Sequence, residues 1–398
     1  MLALRLARGS HPLVMLRRLL VSAASAGVGF LLLCTLGYAM GHPDDSSASL
    51  LRLLWCVLPL VATVHFAVAV ARTDPSTRPC ESLSALGYGP GRMSALAAAS
   101  TALSCTLGSS LALLVYLHLR GDITGMPFDG AAAELLAAGR PLPLAAALTL
   151  LSVVPVSAAL SVALILRPRR TPLPKEGALD EALEEPAAPE PAKKPTAPPA
   201  GLPWGMALLA LGLALETYSA GNRSGATLSL PGGSDGSPTG VLVGWALTAA
   251  GLAFAGPGIT HLCGRLLQAY RPCATRLLAG RALMEEARRI GRPLGVAAAV
   301  ASATIAVTTV YGQGDGRPFG PLTGLGATLV MACTTATLLT SALESRQARV
   351  DTKDALLRLG ASAAMLRMAA ALRAVTLLAV FAPLTWAVAA LAALPLQG

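Results

Sequence analysis

Nine stretches of mostly apolar residues, each of about twenty and so long enough to cross a ~30 Å hydrocarbon core, limit what this chain can become. They run roughly Leu19 to Met40, Leu51 to Ala71, Ala95 to Leu117, Leu142 to Leu166, Leu202 to Ser219, Val241 to Cys263, Leu294 to Tyr311, Leu322 to Leu343 and Met368 to Leu396. In lipid only helices and closed barrels keep every backbone N–H and C=O paired, and these continuous runs lack the alternation a barrel needs. The chain is therefore read as an all-α polytopic membrane protein of about nine transmembrane helices. Its composition, 54% hydrophobic and 13% charged, agrees, since soluble domains carry about a quarter charged residues. Aromatic residues make up only 4%, so the helices are expected to close on one another through small residues. The fifth run is the weakest: it is short, it holds Glu216, and it also suits an interfacial position.

Basic residues near span ends are retained in the cytoplasm, so their distribution orients the chain. With the N-terminus inside, 26 of the 31 Lys and Arg fall on one side, and only Arg52, Arg120, Arg140, Arg223 and Arg317 on the other. The expected topology has the N-terminus in the cytoplasm and the C-terminal end outside. The net charge of +10 is accounted for by this bias and needs no nucleic-acid partner. The opening stretch is too basic and too long before its apolar run to read as a cleaved signal peptide.

From Arg167 to Gly201 the composition turns to Pro, Ala, Glu and Lys. Such a segment cannot bury a core and is expected to be a cytoplasmic linker. It separates residues 1–166, with four spans, from 202–273, with two, and from 274–398, with three. The runs of the last region repeat the first three at an offset of about 273 positions. The loop after the second span repeats as well: Leu83, Leu86 and Gly87 fall on Leu356, Leu359 and Gly360 at the same offset, each set led by an acidic residue. Leu-x-x-Leu-Gly puts two leucines on one face of a short helix and a glycine where a left-handed C-cap is needed. A second helix then enters the membrane. Each repeat is preceded by a basic amphipathic stretch, Leu2 to Arg18 and Leu277 to Arg289, expected to lie along the inner leaflet as an elbow.

The stretches Ser82 to Ser100 and Ala355 to Ala374 resemble the segment after the second span of FtsX-like (MacB-type) ABC transporter permease domains, and the Ala, Arg and Gly bias is similar to that of actinobacterial members. The resemblance covers about residues 1–166 and 274–398. It implies two FtsX-like halves joined by the linker, in a bacterial plasma membrane, whose coupling helices dock through Leu83, Leu86, Gly87, Leu356, Leu359 and Gly360 on a separate, dimeric ABC ATPase. The family's extracytoplasmic domain has no room in Gly41 to Leu50 or Gly312 to Pro321.

No phosphate loop, H-E-x-x-H, G-x-S-x-G or paired Cys/His spacing occurs, so no catalytic, cofactor or metal site is expected and energy must come from a partner or an ion gradient. The seven cysteines read as small buried hydrophobes. Ionisable groups in spans are costly and invite a functional reading, and the main ones are His65 and Glu216. Their plainer readings are an interhelical hydrogen bond for His65 and an interfacial seat for Glu216. Pro59, Pro155, Pro257 and Pro383 fall inside spans. Three functions follow: a permease subunit that couples ATP hydrolysis to export or extraction of an amphiphile, an ion-driven secondary transporter, and a membrane scaffold or signalling subunit.

Overall fold

The computed structural model describes residues 12–73, 90–123, 130–133, 136–167, 199, 201–221, 227–229, 236–269, 273–311 and 320–394. Ten helices are described: α1 (Pro12–Gly41), α2 (Ser46–Thr73), α3 (Pro90–Arg120), α4 (Leu144–Ile165), α5 (Gly201–Gly221), α6 (Thr239–Ala269), α7 (Ala274–Tyr311), α8 (Pro321–Gln347), α9 (Val350–Arg358) and α10 (Ala363–Ala393). A small antiparallel ribbon, β1 (Thr227–Ser229) with β2 (Gly236–Pro238), pairs Leu228 with Ser237 between α5 and α6. Eight of the helices are long and apolar enough to cross a membrane: α1 to α4, α6 to α8 and α10. The chain is a polytopic helical membrane protein.

The fifth run departs from the nine expected. It forms α5, but Pro203, Trp204 and Glu216 dilute its apolar content, and it is not among the eight. Instead α5 lies antiparallel along α6, with Gly205 against Ala255, Gly212 against Thr248, Glu216 against Gly244 and Ser219 against Gly240. The glycines sit seven apart, at 205 and 212 on α5 and at 244, 251 and 258 on α6, so one face of each helix is bare backbone. Two turns of helix bring each glycine back to nearly the same side, which allows the close approach.

The expected elbow from Leu277 to Arg289 is also corrected. It is the first part of α7, one helix of 38 residues that runs through Pro293. At 1.5 Å per residue α7 is about 57 Å long, more than a whole bilayer with its headgroups, so it projects beyond the membrane. Leu283 and Ala279 are buried against Cys263 and Leu267 of α6 and Ala369 of α10. The apolar face of the stretch is spent on that hairpin rather than on a leaflet. The other elbow, Leu2 to Arg18, lies largely outside the described residues.

Helices α1 to α4 pack on one another, and α8 joins them by lying on α2 and α1. Phe66, Ala67 and Val70 of α2 enclose Cys333 of α8 together with Val21 and Ala24 of α1 and Cys105 of α3. Thr63 and Cys333 meet at 3.6 Å. Helices α5, α6, α7 and α10 form the second group, joined to the first mainly through α7 against α8. All four expected prolines, with Pro293 as a fifth, lie within helices.

Arginine placement separates the two ends of the bundle. The described arginines at the Gly41 end of α1 are each fixed in the structure. Arg120 is buried and donates to the carbonyls of Ala137 and Arg140 while facing Asp122 at 3.4 Å. Arg140 donates to the Met40 carbonyl, which fastens the α3–α4 connection over α1. Arg52 sits 3.5 Å from the ring centroid of Tyr38, which stacks on His42 at 4.3 Å. The other end carries Arg17, Arg18, Arg72, Arg92, Arg167, Arg265 and the arginines of α7, α9 and the start of α10; it is the basic end.

Candidate functional site at the basic end

The corner between α8 and α10 is the most distinctive construction at the basic end. Two residues, Ala348 and Arg349, separate α8 from α9, and the Lys353 N–H donates to the Arg349 carbonyl to start the short helix. Its end is a double closure. The Ala361 N–H donates to the Leu356 carbonyl at 3.0 Å, and the Gly360 N–H donates to that of Leu357 at 3.1 Å. This nested pair of bonds needs a residue in the left-handed region just past the helix, and Gly360 supplies it with φ +93°. Two residues later the Ser362 hydroxyl accepts from the Met365 N–H at 3.2 Å and caps α10. The sequence Leu-Gly-Ala-Ser thus ends one helix and starts the next within four residues.

The corner leaves apolar surface uncovered. Leu359 is 84% exposed, and Val350 and Leu357 are exposed with it. Leu356 is half-buried, so the two motif leucines are not equivalent, and Leu357 carries surface that the motif spacing did not single out. Leu83, Leu86 and Gly87 lie outside the described residues.

Four charges tie this corner to α7. Arg349 pairs with Glu286, and Arg289 faces Glu344 at 3.8 Å. Glu286 and Arg289, one turn apart on the projecting part of α7, thus cross to the end of α8 and the start of α9. Sequence reasoning missed this network. The spacing of Glu286 and Arg289 marked one charged face, but nothing in the chain named its partners, Arg349 and Glu344, more than 50 residues on.

The two intramembrane candidates sit on different helices, Glu216 on α5 and His65 on α2, and neither belongs to the corner. Glu216 is fully buried between α5 and α6, where its Oε1 accepts from the Thr248 hydroxyl at 3.0 Å and its Oε2 has no partner among the described residues. It occupies a seam between two helices, enclosed by protein. His65 faces outward from α2 and makes no hydrogen bond among the described residues, so the expected interhelical bond is absent. No cluster of three His, Cys, Asp or Glu residues suited to a metal is present among the described residues. Of the cysteines, Cys34, Cys56, Cys105, Cys263 and Cys333 are buried thiols and Cys273 is exposed.

Compared with models of known protein families, with curated proteins and with solved structures, the chain matches none.

Proposed function

We propose that the chain is the permease subunit of an ABC transporter, which couples ATP hydrolysis by a separate, dimeric ATPase to the export or extraction of an amphiphile. The observation that carries this reading is the α8–α9–α10 corner. It is a short helix hung between two membrane helices, closed at Gly360, with Leu357 and Leu359 bare and with its start bound to α7 by the Arg349–Glu286 pair. A partner that grips α9 would move α8 and α7 together. On this reading the basic end is cytoplasmic, the membrane is a bacterial plasma membrane, and 1–166 and 274–398 are FtsX-like halves joined by a linker in 167–201. Leu83, Leu86 and Gly87, outside the described residues, are on this reading the ATPase contact of the first half.

Co-expression with an ABC ATPase, sought in the reading frames that neighbour this chain's gene, provides the test. Leu359→Asp places a charge where a groove must close over a methyl-rich side chain, and is expected to lower co-purification at least roughly tenfold. Arg349→Ala leaves that contact surface in place and is expected to keep the ATPase bound while lowering transport per ATP. Co-purification of the Leu359→Asp variant at wild-type yield would defeat the proposal.

A second reading rests on Glu216. A carboxyl buried with one oxygen unpaired is what an ion-driven carrier uses to take up and release a proton. Gradient-driven transport by the purified chain alone, lost in Glu216→Gln, would favour the carrier over the permease.

A further inference from the structure

Helix α2 presents a single outward stripe in which Leu54, Leu58, Val61, His65 and Arg72 follow one another at spacings of three, four and seven. The first three are what a lipid-facing surface requires. His65 is not. It lies two turns, about 10 Å, deeper than Arg72, exposed and without a hydrogen bond among the described residues. A polar ring left unpaired at that depth is unfavourable, and no described residue supplies its partner. Arg72 and Arg292 of α7 are both exposed and lie within electrostatic reach of it. No carboxylate pairs with any of the three among the described residues. Two arginines and an imidazole therefore gather at the basic end, beside an apolar track, with no counter-charge among the described residues.

We infer that this face of α2 and α7 holds the headgroup of an anionic phospholipid. The phosphate sits between the Arg72 and Arg292 guanidiniums, which offer forked N–H donors to its oxygens. His65 donates to the ester carbonyl region two turns deeper, and the acyl chains run along Val61, Leu58 and Leu54. Charge complementarity fixes the class of lipid: a zwitterionic headgroup brings its own cation against two arginines, whereas a phosphatidylglycerol brings one net negative charge. The inference does not rest on the transport reading, because it concerns His65, Arg72 and Arg292 and not Leu359 or Arg349.

Native mass spectrometry of the detergent-purified full chain, titrated with phosphatidylglycerol or with phosphatidylcholine of the same acyl chains, tests it. Wild-type protein is expected to bind phosphatidylglycerol roughly tenfold more tightly, in line with the attraction of basic groups at a membrane surface for anionic lipid. Arg72→Gln with Arg292→Gln should abolish the preference, Arg72→Lys with Arg292→Lys should keep most of it, and His65→Ala should lower affinity for both lipids. Free glycerol 3-phosphate at millimolar concentration should not displace the bound lipid. Equal affinity of the wild type for the two lipids would overturn the inference, as would an undiminished preference in the Gln variant. Displacement by glycerol 3-phosphate would assign the site to a free phosphate and overturn it too.

Discussion

Helices α1 to α4 and helices α5 to α7 are both built from Ala, Leu, Gly and hydroxyl residues, yet they close in different ways. In the first group hydroxyl side chains bond to backbone, beside a close glycine contact, Gly108 of α3 against the Ser22 carbonyl of α1. The Ser25 hydroxyl of α1 donates to the Cys105 carbonyl of α3 at 2.8 Å, and the Ser109 hydroxyl of α3 donates to the Leu151 carbonyl of α4 at 3.3 Å. The two hydroxyls lie 3.4 Å apart, so one polar thread crosses three helices. In the second group backbone meets backbone. A methyl group on Gly264 would lie 2.8 Å from the Gly280 carbonyl oxygen, one on Gly280 would lie 2.6 Å from that of Gly264, and one on Gly256 would overlap the Gly291 carbonyl. Helix α6 carries two such bare faces, one for α5 and one for α7. Where there is no hydrophobic force between helices in lipid, the closer approach gains more dispersion contacts but tolerates no added atom.

The largest test of this contrast is therefore a single added side chain in α6 or α7. Gly291→Val forces three carbons into a space already filled by Pro257 and Gly256. It is expected to cost about 3 kcal/mol or more, the upper range of overpacking, because backbone cannot step aside as a side chain can. Thermal or denaturant unfolding of the purified protein reads the loss. Gly324 of α8 meets nothing within 4 Å, and Gly324→Ala should leave stability unchanged or raise it by up to about 1 kcal/mol through helix propensity. If both variants unfold like the wild type, the glycine faces are not the packing determinant.

Much of this architecture is legible in the chain, and what is not has a common cause. Hydropathy is a one-dimensional property, so the membrane helices, their prolines and the weakness of the fifth run could be read directly. So could the cap at Gly360, because the nested bonds that close α9 involve residues only three to five apart. The low aromatic content also pointed to close packing. Which face meets which partner depends on shapes brought together from distant positions. That is why the seat of α8 on α2, the burial of Leu283 in a hairpin, the crossing of Glu286 to Arg349 and the enclosure of Glu216 were not foreseen. Arg120 and Arg140 are a further case. The charge count marked them as exceptions, and only the folded loop shows carbonyls of Ala137, Arg140 and Met40 waiting for them.

A milder change tests the first group. Ser25→Ala removes the donor to the Cys105 carbonyl and leaves a cavity of one oxygen. Hydroxyl bonds between membrane helices average about 0.6 kcal/mol and hydrogen bonds in general about 1, so a loss within that range is expected in the same unfolding measurement. The Cys105 carbonyl already serves its own helix, so little is left unsatisfied. A loss as large as that of Gly291→Val would mean that the hydroxyl thread, not the glycine faces, is the more demanding construction.

The smallest effect on stability, and the most informative about orientation, comes from Cys273. This thiol stands exposed in the turn between α6 and α7, at the tip of the glycine-packed hairpin. Its proton is held less tightly than that of an ordinary cysteine, first because the thiol interacts with the Thr275 hydroxyl at 3.2 Å and then through the Arg276 backbone N–H and charge. A lowered thiol pKa enlarges the thiolate fraction at neutral pH, and the thiolate is the nucleophile. Maleimide labelling on a Cys80→Ser background is therefore expected at Cys273 first, with a rate that rises and levels off at lower pH than for free cysteine. The five enclosed thiols should follow slowly. Among them, Cys263 against α7 and Cys105 on the hydroxyl thread report how often each group of helices opens. With the basic end in the cytoplasm, a membrane-impermeant maleimide should reach Cys273 only after the cells are permeabilised. Labelling in sealed cells would invert the chain, and Leu359 would then face away from any cytoplasmic ATPase.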